Sequence, residues 1–226
     1  MVRKKTEDKK SQAYNKIKTL ILTYQVNPGQ RLDTEYLRRE VGVSTTPIRE
    51  VLNQLVEEGY VRQIKNRGYY VNDLSDKDIE NLYEVREALE LFAMRKTLKE
   101  GVKINNPFQK EIKQNIDLYY RYSDEKGYRN RLPMDERFHV ILANLSGNDH
   151  LVTVLKNIFE KINYKEKVFE FYPQRGVEAS REHDAIFRLL LAKKEEKLLR
   201  YLQSHIRAGK QRILSILKAR EAYLKI

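Results

Sequence analysis

Four side chains in the second half of the chain have the types and spacing of a metal site. Asp135 and His139 lie four residues apart, so on a helix they share a face. They border the apolar stripe of Met134, Phe138, Ile141 and Leu145. His183 falls on the stripe of Phe187 and Leu190, and His205 on that of Leu198 and Leu202. All four can therefore point into one helical interior. A carboxylate and three imidazoles there suit a divalent ion such as Zn²⁺ or Ni²⁺. A histidine on an apolar face also serves as a hydrogen-bonded core residue, and spacing alone leaves that reading open. His150, after Gly147-Asn148-Asp149, reads as a surface or capping residue.

A second set of residues suits contact with nucleic acid. Residues 41–60 read Val-Gly-Val-Ser-Thr-Thr-Pro-Ile-Arg-Glu-Val-Leu-Asn-Gln-Leu-Val-Glu-Glu-Gly-Tyr. Gly42 ends one short helix. Ser44, Thr45 and Thr46 are candidate caps for the next, and Pro47 fits only its first turn. Ile48, Val51, Leu52 and Leu55 bury one face, which leaves Arg49 and Asn53 together on the other. The result is a helix-turn-helix. Its second helix presents hydroxyls, a guanidinium and an amide at the end where such helices meet bases and phosphates. Next, Val61-Arg62-Gln63-Ile64 and Tyr69-Tyr70-Val71 are strand-like around the turn Lys65-Asn66-Arg67-Gly68. This β-hairpin is a wing. Arg67 at its tip can enter a minor groove or lie on phosphate, and Gly68 permits close approach. A hairpin with ordinary solvated charges is the plainer reading, but the neighbouring helix-turn-helix favours the DNA role.

The elements that must position these groups are mostly helices. Tyr14, Ile17, Leu20, Ile21 and Tyr24 mark a first helix, which Asn27-Pro28-Gly29 breaks. Asp33 can cap the short helix carrying Leu37 and Val41. After a linker at residues 73–75, Ser75 and Asp78 make a capping box. Six helices follow, over about 76–100, 108–123, 130–146, 149–171, 176–192 and 194–222. Expected inward positions include Ile79, Leu82, Leu89 and Phe92 in the first, and Leu151, Val154, Leu155, Ile158 and Ile162 in the fourth. The expected fold is mainly α. Residues 1–74 form a winged helix-turn-helix with a small β-hairpin wing, and residues 75–226 an all-α six-helix bundle.

Composition narrows the class. The chain has 226 residues and no cysteine, so there is no disulfide scaffold and nothing argues for export. No apolar run approaches the ~20 residues of a membrane span. The charged opening, Met1 to Lys10, has no signal-peptide pattern and reads as a solvated tail. The expectation is a soluble, cytoplasmic protein with no membrane partner. A net charge of +12 makes nucleic acid the natural anionic partner. The charge is not confined to the motif: residues 1–74 hold 14 Lys and Arg against 9 Asp and Glu, and the remainder 30 against 23. The motif therefore carries the DNA reading, and the charge only supports it.

Pro28-Gly29, Leu32, Leu37, Gly42-Val43-Ser44, Thr46-Pro47, Arg49-Glu50, Leu52, Leu55, Glu58-Gly59 and Gly68 resemble the winged-helix domain of the GntR family of bacterial transcription regulators. The pattern departs at Thr45, where that family usually has arginine. Residues 75–222 resemble the all-helical FCD effector domain of its FadR subgroup. The residues that carry this are Tyr83-Glu84-Val85-Arg86, Leu89-Glu90, Asp135, Phe138-His139, Gly147-Asn148, Leu151, Glu182-His183 and His205. Six helices rather than seven point to its VanR-like branch. The resemblance implies a divalent metal on Asp135, His139, His183 and His205, with Arg86 anchoring a small carboxylate effector. Glu90, four residues on, offers Arg86 a helix-surface ion pair instead. A guanidinium facing the bundle needs an anion, which a carboxylate ligand would supply.

The function expected is a transcription repressor controlled by a small carboxylate. It binds double-stranded DNA as a homodimer on a near-palindromic operator. Arg49 contacts guanine or phosphate, Ser44, Thr45 and Thr46 hold phosphates or sugars, and Asn53 meets bases or lies just outside the groove. Three alternatives stand beside it: a regulator for which the metal itself is the signal, an Asp/His₃ metalloenzyme, and a purely structural metal. No separate general base accompanies the site, which argues against the enzyme.

Overall fold

The computed structural model describes residues 9–122, 128–166 and 174–223. Most of the expected charged tail and the end of the fourth bundle helix, at 167–171, lie outside the described residues. The chain divides into two compact units, Met1–Leu74 and Ser75–Ile226.

The first unit contains helices α1 (Lys9–Leu22), α2 (Thr34–Val41) and α3 (Thr45–Glu57) and strands β1 (Arg31–Leu32), β2 (Val61–Ile64) and β3 (Gly68–Val71). Ile17 and Ile21 of α1, Leu37 of α2, and Ile48, Leu52 and Leu55 of α3 are fully buried together as its core. Asp33 caps α2, its Oδ1 accepting the Tyr36 N–H at 2.7 Å. Gly42 ends that helix at φ 77°, a conformation a residue without Cβ adopts at little cost. Ser44 occupies the N-cap of α3, but its hydroxyl accepts no capping bond. Pro47 explains this. It stands third in the helix, where the usual donor to an N-cap oxygen is a backbone N–H that proline lacks.

The wing is larger than the expected hairpin. It is a three-stranded antiparallel sheet in the order β1-β3-β2. Arg31 pairs with Tyr70 and Leu32 with Tyr69, while Val61 to Ile64 pair with Val71 to Gly68. The two residues of β1 are too few to show any alternation, yet they satisfy the second edge of β3.

The second unit contains α4 (Asp76–Lys99), α5 (Asn106–Arg121), α6 (Tyr128–Asn144), α7 (Asp149–Glu166), α8 (Gln174–Leu191) and α9 (Glu195–Tyr223). The capping box at the start of α4 is complete. Ser75 Oγ accepts the Asp78 N–H at 3.1 Å, and Asp78 Oδ2 accepts the Ser75 N–H at 2.8 Å. Asn105 caps α5 through the Phe108 N–H, and Pro107 occupies its first turn. Ile79, Met94, Ile112, Phe138, Phe159, Phe187, Leu198 and Ile213 bring every helix of the bundle into one core.

Two expected inward positions face outward instead. Phe92 is 51% exposed and Val154 46%. Val85 is also exposed and Leu89 half-buried, so α4 carries an open apolar stripe at Val85, Leu89 and Phe92, and α7 packs beside it. Helical periodicity marks an apolar face without saying what covers it. Among the described residues, no helix is long and apolar enough to cross a membrane.

Candidate functional site

Helix α6 supplies Asp135 and His139 one turn apart, α8 supplies His183, and α9 supplies His205. One ligand atom from each lies within 4.8 Å of all the others. The three histidines are buried, and the Asp135 side chain is 25% exposed. His139 Nε2 lies 3.2 Å from His205 Nε2, and His183 Nε2 lies 3.3 Å from Asp135 Oδ1. Donor atoms about 3.3 Å apart are what a tetrahedral ion with 2.0–2.1 Å bonds requires.

Two carboxylates behind the histidines decide how they present themselves. Glu90 Oε2 lies 2.6 Å from His139 Nδ1, and Glu182 Oε2 lies 2.6 Å from His205 Nδ1. Each carboxylate accepts a proton-bearing Nδ1, which leaves both Nε2 atoms as bare acceptors. Those two lone pairs face each other, an arrangement a cation between them resolves. His183 is stacked on Phe138 at 4.0 Å; its Nδ1 makes no hydrogen bond, and its Nε2 has Asp135 Oδ1 beside it at 3.3 Å without a well-aligned bond. A fully buried ring with an unsatisfied nitrogen is costly unless a further group binds it. Burial pushes His183 down to about 4, and burial also lowers His139 and His205 despite their carboxylates. The rings are thus held in the neutral form that a metal needs. The residues fit a divalent ion bound by three nitrogens and an oxygen.

Arg86 lies in the bundle interior. The ion pair with Glu90 forms, but in the interior and not on a helix surface: Arg86 Nε donates to Glu90 Oε1 at 2.7 Å, and both side chains are under 5% exposed. Burial alone would raise the Glu90 carboxyl, but His139 and Arg86 outweigh it and hold it at about 2. Glu90 therefore already provides the anion that a buried guanidinium needs. Arg86 Nη2 also lies 4.0 Å from Asp135 Oδ2, and its guanidinium sits 4.1 Å over the Phe159 ring. Arg86 lines a pocket of ≈ 40 Å³ beside the metal ligands, with Tyr83, Arg131, Asp135, His205 and Arg212 in the same wall.

The residues expected on DNA lie on one small unit. Ser44, Thr45, Thr46, Arg49, Asn53 and Arg67 are exposed, and Gly68 is half-buried. Among the described residues Arg49 and Arg67 make no ion pair, whereas Arg38 is held bidentately by Glu35. Asn53 is not loose, because its Oδ1 accepts the Tyr69 hydroxyl at 2.7 Å. Gly68 takes φ 97°, and a Cβ there would lie 3.6 Å from Arg31 Nε. Arg31, on the unforeseen β1, thus adds a cation beside the wing turn.

A winged helix followed by an all-helical unit that buries a ligand set is the build of a bacterial transcription regulator. The chain belongs to the GntR family: residues 9–71 match the bacterial regulatory proteins of that family, and residues 81–208 match the FCD domain. On that ground it is a DNA-binding regulator, and the metalloenzyme reading is set aside. The chain is 28% identical over 199 residues to the Nta operon transcriptional regulator of Aminobacter aminovorans, covering 88% of this chain and 91% of that one. It is 33% identical over 137 residues to an HTH-type transcriptional regulator of Agrobacterium vitis, covering 59% of this chain and 78% of that one. The fold matches Escherichia coli McbR/YncC with a TM-score of 0.74 at 18% identity, over 94% of this chain and 100% of that one. It also matches Lar, which controls expression of the Listeria monocytogenes agr system, with a TM-score of 0.65 at 22% identity, over 95% and 100%.

Proposed function

We propose that this regulator is a homodimeric repressor whose hold on a near-palindromic operator is released by a small carboxylate bound beside a divalent metal. Asp135, His139, His183 and His205 hold the metal. Zn²⁺ or Ni²⁺ suits three imidazoles and a carboxylate. The observation that carries this reading is the pair of bare Nε2 atoms 3.2 Å apart, with a pocket that Arg86 and Asp135 line opening beside them. A bound metal supplies a Lewis-acid anchor for a carboxylate. Arg86, fixed in the pocket wall by Glu90, orients the acid with its outer N–H groups. A pocket this small favours a short acid.

On the DNA side, the first turn of α3 and the hydroxyls of Ser44, Thr45 and Thr46 hold phosphates. The uncapped Ser44 hydroxyl supports that role. Arg49 and Asn53 read bases, and Arg67 with Gly68 follows the backbone from the wing. A second copy covers the stripe of Val85, Leu89 and Phe92 on α4 together with Val154 on α7, since exposed apolar surface of this kind marks an interface. Arg86 lies on α4, the helix that follows the DNA-binding unit in the chain. An acid that binds one setting of α4 more tightly than another shifts operator affinity by that difference.

The test is a thermal-shift panel of short carboxylates on zinc-loaded and chelator-stripped protein, followed by operator binding with the acid that acts. A ligand of the folded state adds about 2.7 kcal/mol at a hundredfold excess over its Kd. An acid that stabilises only the loaded protein and weakens operator binding supports the proposal. If metal alone moves both melting and operator affinity, the metal is the signal. The Arg86–Glu90 pair favours that second reading, because Arg86 does not depend on an acid for its counter-charge.

A further inference from the structure

We infer that the outer face of the wing sheet is a phosphate-binding surface, on which Arg31 and Arg62 each take a separate phosphate of the DNA backbone. This rests on the reading that the winged unit binds duplex DNA through α3 and the wing turn.

The sheet register builds this face. Tyr69 and Val71 of β3 turn one way: Tyr69 bonds Asn53 of α3, and Val71 is fully buried. Side chains alternate along a strand, so Tyr70 between them turns the other way. Its partners across the sheet are Arg31 on β1 and Arg62 on β2. Residues paired directly across a sheet share a face, so Arg31, Tyr70 and Arg62 form one row. The row spans two strand spacings, about 9–10 Å, and both arginines are exposed. Tyr70 stands between them, its hydroxyl donating to the Arg67 carbonyl of the wing turn at 3.4 Å. The chain just before Arg31 fixes β1 in place: Gly29 N–H donates to Val71 O at 3.0 Å, and Val71 N–H donates to Gln30 O at 2.9 Å. Arg31 Nε lies 3.6 Å from where a Cβ of Gly68 would stand, so its guanidinium is held against the wing turn.

The charges say what this face takes. Residues 59–72 hold Arg62, Lys65 and Arg67 with no acid, and residues 27–32 add Arg31, again with no acid. The acid that follows Arg31 in the chain, Asp33, is occupied as the cap of α2. Other cations of this unit are matched: Lys10 with Glu50, Lys18 with Glu58 and Arg38 with Glu35. Among the described residues, Arg31 and Arg62 make no ion pair. Like charges gathered on one sheet face cost stability, and a polyanion supplies the counter-charge that the protein withholds. Duplex DNA carries a phosphate about every 3.4 Å along each strand, so two guanidiniums this far apart meet separate ones. Such contacts fix the wing on the duplex without reading sequence, a task left to α3.

The experiment measures binding of the full-length protein to two labelled duplexes of unrelated sequence by fluorescence anisotropy over a range of KCl. The slope of log affinity against log salt counts phosphates neutralised. Arg31→Gln and Arg62→Gln are each expected to make that slope shallower by at least about 0.9, alike on both duplexes, and the double variant by about 1.8 or more. Both side chains are exposed, so the melting temperature is expected to stay at the parent's. Arg38→Gln is the control for loss of charge alone, because Glu35 already neutralises that arginine. Single variants whose slopes change no more than that of Arg38→Gln overturn the phosphate assignment. A double variant no shallower than either single one overturns separate phosphates, and a loss confined to one duplex turns the contact into base reading. In these cases DNA binding by α3 still stands. If the parent binds neither duplex even at low salt, both readings fall.

Discussion

Replacing Glu90 with glutamine separates the two tasks of that carboxylate. Its Oε1 accepts from Arg86 Nε at 2.7 Å, and its Oε2 faces His139 Nδ1 at 2.6 Å, at 3% exposure. Glutamine keeps the shape but has one oxygen in place of two. With His139 Nε2 given to a metal, its proton stays on Nδ1, and either His139 or Arg86 then faces an NH₂ group, donor against donor. Arg86 also becomes a buried cation whose nearest remaining anion is Asp135, 4.0 Å from Nη2. Removing one partner of a buried pair costs about 3–5 kcal/mol. That is a large part of the 5–15 kcal/mol typical of a folded domain, and a shift of about 1 M or more in a urea midpoint. Loss of the Nδ1 partner should also lower metal affinity about 10–100-fold. Glu182→Gln is the matched comparison. It removes the same kind of contact, at 2.6 Å from His205, but from a side chain 22% exposed. The expected metal defect is similar, while the stability loss in metal-free protein stays near 1 kcal/mol. Urea unfolding with chelator present measures stability, and competition with a chromophoric chelator measures zinc affinity. Equal stability costs for the two variants, or zinc affinity within about twofold of the parent for Glu90→Gln, would refute the reasoning.

Further consequences follow for other residues. Arg49→Ala should weaken operator binding at physiological salt by about tenfold or more while the circular dichroism is unchanged; undiminished anisotropy titrations would clear Arg49 of a base-reading role. Phe92→Glu should give a folded monomer by analytical ultracentrifugation, and a dimer that persists would place the interface elsewhere. Gly209→Ala puts a Cβ 3.5 Å from the Tyr83 ring, an ordinary contact, so the variant should be about 0.5–1 kcal/mol more stable through the unfolded chain; a lower melting temperature would contradict this. Metal-free protein should lose stability in acid. Burial holds His183 down at about 4 when folded, against 6.5 for an unperturbed imidazole, so across that window the unfolded chain binds a proton that the folded one does not. Stability therefore falls as pH drops from about 6.5 toward 4, and zinc should delay the fall; a flat profile across that range in chelator would count against a buried neutral His183.

What could be read from the chain alone was whatever sits within one helix or one turn. Asp135 and His139 share a face by arithmetic, and the Ser75–Asp78 box is complete within four residues. The stripes of His183 and His205 pointed inward because their apolar neighbours did. Tertiary pairing was out of reach. Nothing local connects Glu90 on α4 to His139 on α6, or Glu182 on α8 to His205 on α9, although both acids stood in plain view. The Arg86–Glu90 spacing was legible, but its burial was not, because that depends on the helices around it. Phe92 and Val154 were assigned to the core since periodicity cannot separate a covered face from an open one. β1 escaped because Arg31 and Leu32 form a strand only by virtue of the β3 edge beside them.

The hydroxyl of Tyr69 has a bearing on operator choice. Its bond takes one of the two lone pairs of Asn53 Oδ1 and turns that oxygen toward the wing, which leaves the NH₂ group as the freer half of the amide. The two-point contact of asparagine with adenine needs both halves of the amide, whereas an NH₂ by itself suits guanine N7 or O6, or thymine O4. On the proposed reading of Asn53, the wing strand thus biases which bases the recognition helix accepts. Changing Tyr69 to phenylalanine frees the oxygen and leaves α3 as it is. On the proposed reading of Asn53, a change at Tyr69 shifts operator preference through the bond it makes, and positions 53 and 69 are to be altered as a pair when specificity is redesigned.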